Sequence, residues 1–140
     1  AGLVSRIRGQ VVVEPLSGVS RYPLRTAIDI IAVLDRVATP NVALLADLYH
    51  LAMNGDDIDE VIVRYSPRIG HVQIADVPGR HEPGTGQLPI EHYLTALETA
   101  GYSGYVGLEY VPSSTSERAF DWLARARRAA HSDSGREEPR

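Results

Sequence analysis

Four short apolar runs recur along the chain, each followed by a polar loop and then by a stretch with helical spacing. The first run, 10 to 14 (QVVVE), holds three valines with no polar alternation, the pattern of a strand buried on both faces in a parallel sheet. Pro15 follows, and the loop from Leu16 to Tyr22 leads to an expected helix from about Pro23 to Val37. There Leu24, Ala27, Ile28, Ile31 and Leu34 keep the 3, 4 spacing of one buried face, and Thr39-Pro40-Asn41 stops the pattern. The second run, Val42 to Ala46, ends at Asp47 with Tyr49 and His50 just beyond. A loop through Asn54-Gly55-Asp56-Asp57 then precedes a shorter helix, about Ile58 to Tyr65, closed by Pro67 and Gly70.

The third unit opens with an alternating strand, His71 to Ala75, which sets the apolar Val72 and Ile74 against the polar Gln73 and Asp76. It runs into a loop dense in turn-formers and charges, so that 71 to 86 reads HVQIADVPGRHEPGTG. A strand that delivers polar residues into a stiff loop is how α/β proteins build small-molecule sites. The helix after it starts at about Pro89, carries Ile90, Tyr93, Leu94 and Leu97, and is capped by Gly101. The fourth strand is Tyr105 to Leu108, ending at Glu109. A capping-box spacing at Ser114-Thr115-Ser116-Glu117 opens a last helix expected to bury Ala119, Phe120 and Leu123 with Trp122 alongside.

Four βα units predict an α/β fold with right-handed crossovers and a parallel sheet. That is half of a (β/α)₈ TIM barrel, which runs to about 250 residues, and the chain has 140. Residues 1–128 are read as the half barrel and 129–140 as a polar, disordered tail. Four parallel strands leave one sheet face and two edges uncovered, so a second half barrel is expected, from a longer protein or from another copy of the chain.

Composition narrows the chemistry. A formal charge of −4 and a pI near 5.7 argue against nucleic acid, whose phosphates call for a basic face. All 14 basic residues are arginine, which excludes Schiff-base chemistry, and the absence of cysteine removes thiolate metal sites and thiol nucleophiles. No segment approaches a membrane span and no signal-peptide pattern opens the chain, so a soluble cytoplasmic protein with no membrane partner is expected.

Each strand delivers, at or near its C-terminal end, a side chain able to bind a hard cation: Glu14, Asp47, Gln73 and Glu109. Sites in parallel α/β folds form at those ends, so the four converge. All offer oxygen, which favours Mg²⁺ or Mn²⁺ over zinc or copper. Taken singly, each acidic residue is as readily a helix N-cap or a solvated loop residue; the fourfold coincidence favours a site.

The segments EPL at 14 to 16, ADLYH at 46 to 50, HVQIADVPGRHEPGTG at 71 to 86 and GLEY at 107 to 110 resemble the hydroxypyruvate isomerase family of xylose isomerase-like TIM barrels. The resemblance runs from Gln10 to Leu123 and matches that family's C-terminal half. It implies a metal site at Glu14, Asp47, Gln73 and Glu109, an acid/base pair in Glu14 and Glu109, and substrate contacts from His50 and Arg80. The implied activity is interconversion of hydroxypyruvate and tartronate semialdehyde (2-hydroxy-3-oxopropanoate) through an enediolate, dependent on a divalent cation. Related activities on the same scaffold are 2-oxo-tetronate isomerisation, ketose 3-epimerisation and inosose dehydration, and a half barrel acting only in binding or assembly is the non-enzymatic alternative. The expected ligand is a small 2-oxo or hydroxy acid, with Arg80 as the fork for its carboxylate. Because a bound cation acidifies the substrate C–H, neither Glu14 nor Glu109 needs a raised pKa. His71, at the expected start of its strand, is read as structural, Asp76 as a turn or supporting group, and Tyr49, Tyr105 and Tyr110 as packing.

Overall fold

The computed structural model describes residues 9–123. The expected tail over 129–140 lies outside them. Four strands, β1 (Val11–Val13), β2 (Val42–Asp47), β3 (Ile69–Ile74) and β4 (Val106–Leu108), form one sheet in sequence order with every pairing parallel. Between them lie helices α1 (Ala27–Val37), α2 (Leu48–Asn54), α3 (Ile58–Tyr65) and α4 (Ile90–Thr99). This is the expected α/β partial barrel, built from parallel strands with helices along one face.

Period-two alternation decides which side chains meet those helices. Val13, Val42, Leu44, Ala46, Ile69, Val72, Ile74 and Val106 join one apolar cluster with Ile30, Leu34, Leu51, Ile62 and Leu97 of the helices. The intervening residues Val12, Leu45, Asp47, His71, Gln73 and Gly107 therefore point to the other face, which no helix of the described chain covers. The register passes from Leu44↔Ile69 to Leu45↔His71, leaving Gly70 as an extra residue on β3. A Cβ there would stand 2.8 Å from Ala43 Cβ and overlap the Gln10 side chain, which explains a glycine that the sequence reading assigned to the end of the preceding helix. The strand thus begins earlier than expected and places His71 mid-strand, with its Nε2 3.0 Å from where a Cβ on Gly107 would sit.

Three other boundaries differ from expectation. Helix α1 starts at Ala27 and not near Pro23, because Thr26 and Asp29 form a capping box: Thr26 Oγ1 accepts the Asp29 N–H at 3.3 Å and Asp29 Oδ2 accepts the Thr26 N–H at 2.9 Å. Leu48–Asn54, for which the sequence predicts no helix, form α2, with Asp47 as its N-cap accepting the Tyr49 N–H at 2.9 Å. The expected helix after Ser114 is, within the described residues, only a 3₁₀ turn at Arg118–Phe120. Ala119 is buried there as expected, but Phe120 is 40 % exposed, because a single 3₁₀ turn directs only one of the expected apolar positions inward. Among the described residues no helix is long and apolar enough to cross a membrane.

Candidate functional site

The C-terminal ends of the strands bring all four expected oxygen donors to the uncovered side of the sheet. Asp47 closes β2 and pairs in register with Gln73, while Glu14 and Glu109 follow β1 and β4 by one residue. Tyr22 fixes the Glu14 backbone by donating its hydroxyl to the Glu14 carbonyl at 2.9 Å. Glu14, Asp47 and His50 each present an atom within 4.8 Å of the others. Among the described residues, Glu14 Oε1 and Gln73 Oε1 are buried without a hydrogen-bond partner, which costs free energy unless something else pairs with them. Two orphaned oxygens beside a buried carboxylate are a donor set that a hard divalent cation fits.

His50 is 6 % exposed and its orientation is fixed by Ser17, a residue that carried no signal in the sequence. The Ser17 N–H donates to His50 Nδ1 at 3.0 Å, with the Ser17 hydroxyl 2.7 Å from the same atom. Nδ1 is therefore the unprotonated nitrogen, and Nε2 carries the proton. Nε2 points between Asp47 Oδ2 at 3.7 Å and Glu14 Oε1 at 4.0 Å. Burial pushes the His50 pKa down and keeps the ring neutral. In this tautomer Nε2 is a donor and not a metal ligand, which suits the substrate contact expected of His50.

Arg80 sits at a positive φ of 55°, held there by its neighbours. Its N–H donates to the Asp76 carbonyl at 2.9 Å, and its own carbonyl accepts the Val111 N–H at 2.8 Å. The guanidinium reaches Glu109 Oε1 at 2.7 Å and Asp47 Oδ2 at 3.3 Å, and it stacks over the Tyr49 ring at 5.1 Å from its centroid. Tyr49, read as packing, thus touches the site.

The carboxylates differ in their electrostatics. Glu14 is raised to about 7, first by burial and then by the nearby Asp47 and Glu109 carboxylates, with Arg80 pulling the other way. The rise follows from burying one carboxyl group beside two others, with a single guanidinium to offset them. Burial likewise pushes Asp47 up, against the pull of His50, the Tyr49 amide and Arg80. Glu109 is 45 % exposed at the open side.

Behind the site, Asp76 holds the loop together. Its Oδ1 accepts the Val77 and Leu88 amides, each at 2.9 Å, and its Oδ2 accepts those of Gly84 at 3.0 Å and Gly86 at 2.8 Å. Glu82 then ties this loop to the segment after β4, accepting the Ser113 N–H at 2.9 Å and the Ser113 hydroxyl at 2.6 Å. His81 Nδ1 lies 2.7 Å from the Val111 carbonyl in the same tie. A cleft of about 530 Å³ between α3 and α4 lies far from these groups, so cleft size does not mark this site.

Comparison with known proteins identifies the family and the fold. The family described as xylose isomerase-like TIM barrel matches residues 5–126. A Streptomyces coelicolor protein provisionally named as a hydroxypyruvate isomerase is 49% identical over 137 residues, covering 93% of this chain and 49% of that protein. The hydroxypyruvate isomerase of Escherichia coli is 30% identical over 115 residues, covering 81% of this chain and 45% of that one. Among solved structures, the AP endonuclease, family 2, of Brucella melitensis superposes with a TM-score of 0.83 at 35% identity, covering 86% of this chain and 48% of that one. The chain spans about half the length of the relatives it matches.

Proposed function

Because the chain belongs to the xylose isomerase-like TIM-barrel family, we propose that it carries the cation-binding and proton-transfer residues of an isomerase interconverting hydroxypyruvate and 2-hydroxy-3-oxopropanoate. The observation that carries the proposal is the pair of orphaned oxygens, on Glu14 and Gln73, facing Asp47 at the ends of successive strands. Glu14, Asp47, Gln73 and Glu109 would hold a divalent cation, Mg²⁺ or Mn²⁺, which supplies polarisation of the substrate carbonyl when bound.

The chain's own residues account for the rest. A proton leaves C3 of hydroxypyruvate and arrives at C2, while the hydroxyl proton passes from the C3 oxygen to the C2 oxygen, so the carbonyl moves by one carbon with no net gain or loss of atoms. Glu14, whose carboxylate lies within 4.8 Å of ligand atoms of Asp47 and His50, takes or returns the proton. Glu109, at the open side of the cluster, is the partner of opposite role. The His50 Nε2–H is placed to donate to a substrate oxygen, and Arg80 supplies the planar fork for a carboxylate. The formal charge of −4 and the three carboxyl groups around Arg80 weigh against a nucleic-acid substrate.

Activity also requires cover for the open face, which a second half barrel provides, either within one longer chain or from another copy. The test is isomerisation of hydroxypyruvate by such an assembled form with Mn²⁺, alongside a four-carbon 2-oxo acid and a free ketose. Glu109→Gln should lower turnover by about a hundred- to ten-thousandfold while leaving the circular dichroism spectrum unchanged. Full activity in that variant would refute the assignment, and preferential epimerisation of the ketose would replace it.

A further inference from the structure

The guanidinium of Arg80 stands where two of the proposed cation ligands would bind their ion. Of the two Asp47 oxygens, Oδ1 is already spent on the Tyr49 amide at 2.9 Å. Oδ2 is the one left for a cation, and Oδ2 is the atom that Arg80 holds at 3.3 Å. The second Arg80 contact, 2.7 Å to Glu109 Oε1, engages another proposed ligand. Glu14 and Gln73, the other two, have the unpartnered oxygens. The donor set is thus divided into two ligands with unpartnered oxygens and two that are paired with an internal cation.

The way Arg80 is mounted separates its backbone from its head. Hydrogen bonds to Asp76 and Val111 pin the main chain at its positive φ. Among the described residues, the side chain is tied to the two carboxylates, the Glu109 carbonyl at a long 3.4 Å, and the Tyr49 ring. A head that loses its carboxylates can therefore stay over Tyr49, beside the site, with its fork free.

We propose that Arg80 is a stand-in cation, pairing with Asp47 and Glu109 until a divalent ion displaces it, and that this displacement frees the same guanidinium to receive the substrate carboxylate. The inference rests on the cation reading given above and adds an order to it: the ion binds first and the acid second. Arg80 and the ion compete for Asp47 Oδ2, so removing the guanidinium strengthens ion binding even as it removes the anchor for the acid. An arginine serving only as a fixed substrate anchor would also repel a nearby ion but would stay on its carboxylates, so movement of the guanidinium when the ion binds distinguishes the two roles.

The test measures Mn²⁺ affinity by titration calorimetry in the full chain and in Arg80→Met, with no substrate present. The variant should bind Mn²⁺ about ten- to hundredfold more tightly, the span that one or two charge-assisted hydrogen bonds cover in an equilibrium constant. Equal or weaker affinity in a folded variant would overturn the stand-in role alone. Absence of uptake by both proteins would overturn the cation reading and this inference with it. A second measurement needs no variant of uncertain stability: in the unaltered chain, Mg²⁺ should shift the Arg80 Nε–H resonance in a ¹⁵N spectrum, saturating with the calorimetric affinity. A resonance unmoved at saturating Mg²⁺ would show that the guanidinium stays on its carboxylates and would overturn the displacement.

Discussion

Replacing Asp76 by Asn tests whether one buried carboxylate organises the loop that carries Arg80. The carboxylate is 1 % exposed and accepts four backbone amides, two on each oxygen. An Asn keeps one oxygen and presents an NH₂ to the other pair, so two N–H donors in part-buried hydrogen bonds lose their acceptor. Water can reach part of what is lost, so the cost is about 1–3 kcal/mol in all, against the roughly 5–15 kcal/mol that holds a domain together. The loop cannot easily repack around the loss, since a Cβ on Gly86 would overlap the Val77 carbonyl and stand 2.7 Å from Asp76 Oδ1. Urea unfolding followed by Trp122 fluorescence should show a lower midpoint, and the amides of Gly84, Gly86 and Leu88 should exchange faster. Burial pushes the Asp76 pKa up, but the four amides more than offset it and the net value is lowered. The folded state then binds fewer protons than the unfolded one. The contribution is present above the unfolded value of about 3.9 and is lost as pH falls through the folded value, and Asp76→Asn should lack that acid-side loss. An unchanged midpoint together with unchanged protection of the three amides would refute the reasoning.

Other expectations follow from the same geometry. Glu14→Gln should raise the urea midpoint at pH 8 and alter it little near pH 4: the folded pKa of about 7 lies above the unfolded value, so the folded state binds more protons between the two and the parent loses stability as pH rises through that window. Glu82→Ala should release the segment after β4, read as faster exchange of the Ser113 amide while the Val72 amide inside the sheet stays protected; equal protection at Ser113 would show that the tie is not needed. Gly70→Ala should lower the thermal midpoint, since a new methyl group meets Ala43 Cβ at 2.8 Å and overpacking of this kind costs about 1–3 kcal/mol.

The strands and the site ends were legible because each depends on a local pattern. Three valines before Glu14, VALLA before Asp47 and an alternating run around Gln73 need no knowledge of distant residues. Helix α2 escaped notice because seven residues are too few to establish a period, and its N-cap, Asp47, reads equally as a strand end. The start of α1 was set too early because Leu24 extends the apolar spacing beyond the capping box at Thr26 and Asp29. What sequence could not show is convergence across long separations. Arg80 meets Asp47 over 33 positions and Glu109 over 29, by way of a left-handed backbone at a residue that is not glycine. Ser17, which sets the His50 tautomer, likewise lies 33 positions from its partner.

The division of labour in this half barrel has a physical consequence. On the proposed reading all four cation ligands come from four successive strands of one sheet, so ion affinity is a property of this half alone. The face they occupy is open, and Glu109 at 45 % exposed and Arg80 at 29 % stand in high dielectric where charge–charge interactions are weak. Covering that face would leave the ligand set unchanged but would remove water from it, strengthening each of these interactions and giving the substrate a second wall. On this reading the described half barrel supplies the cation ligands and leaves their face uncovered. That is why cation binding can be measured on this chain directly, whereas proton transfer is to be measured on an assembled form.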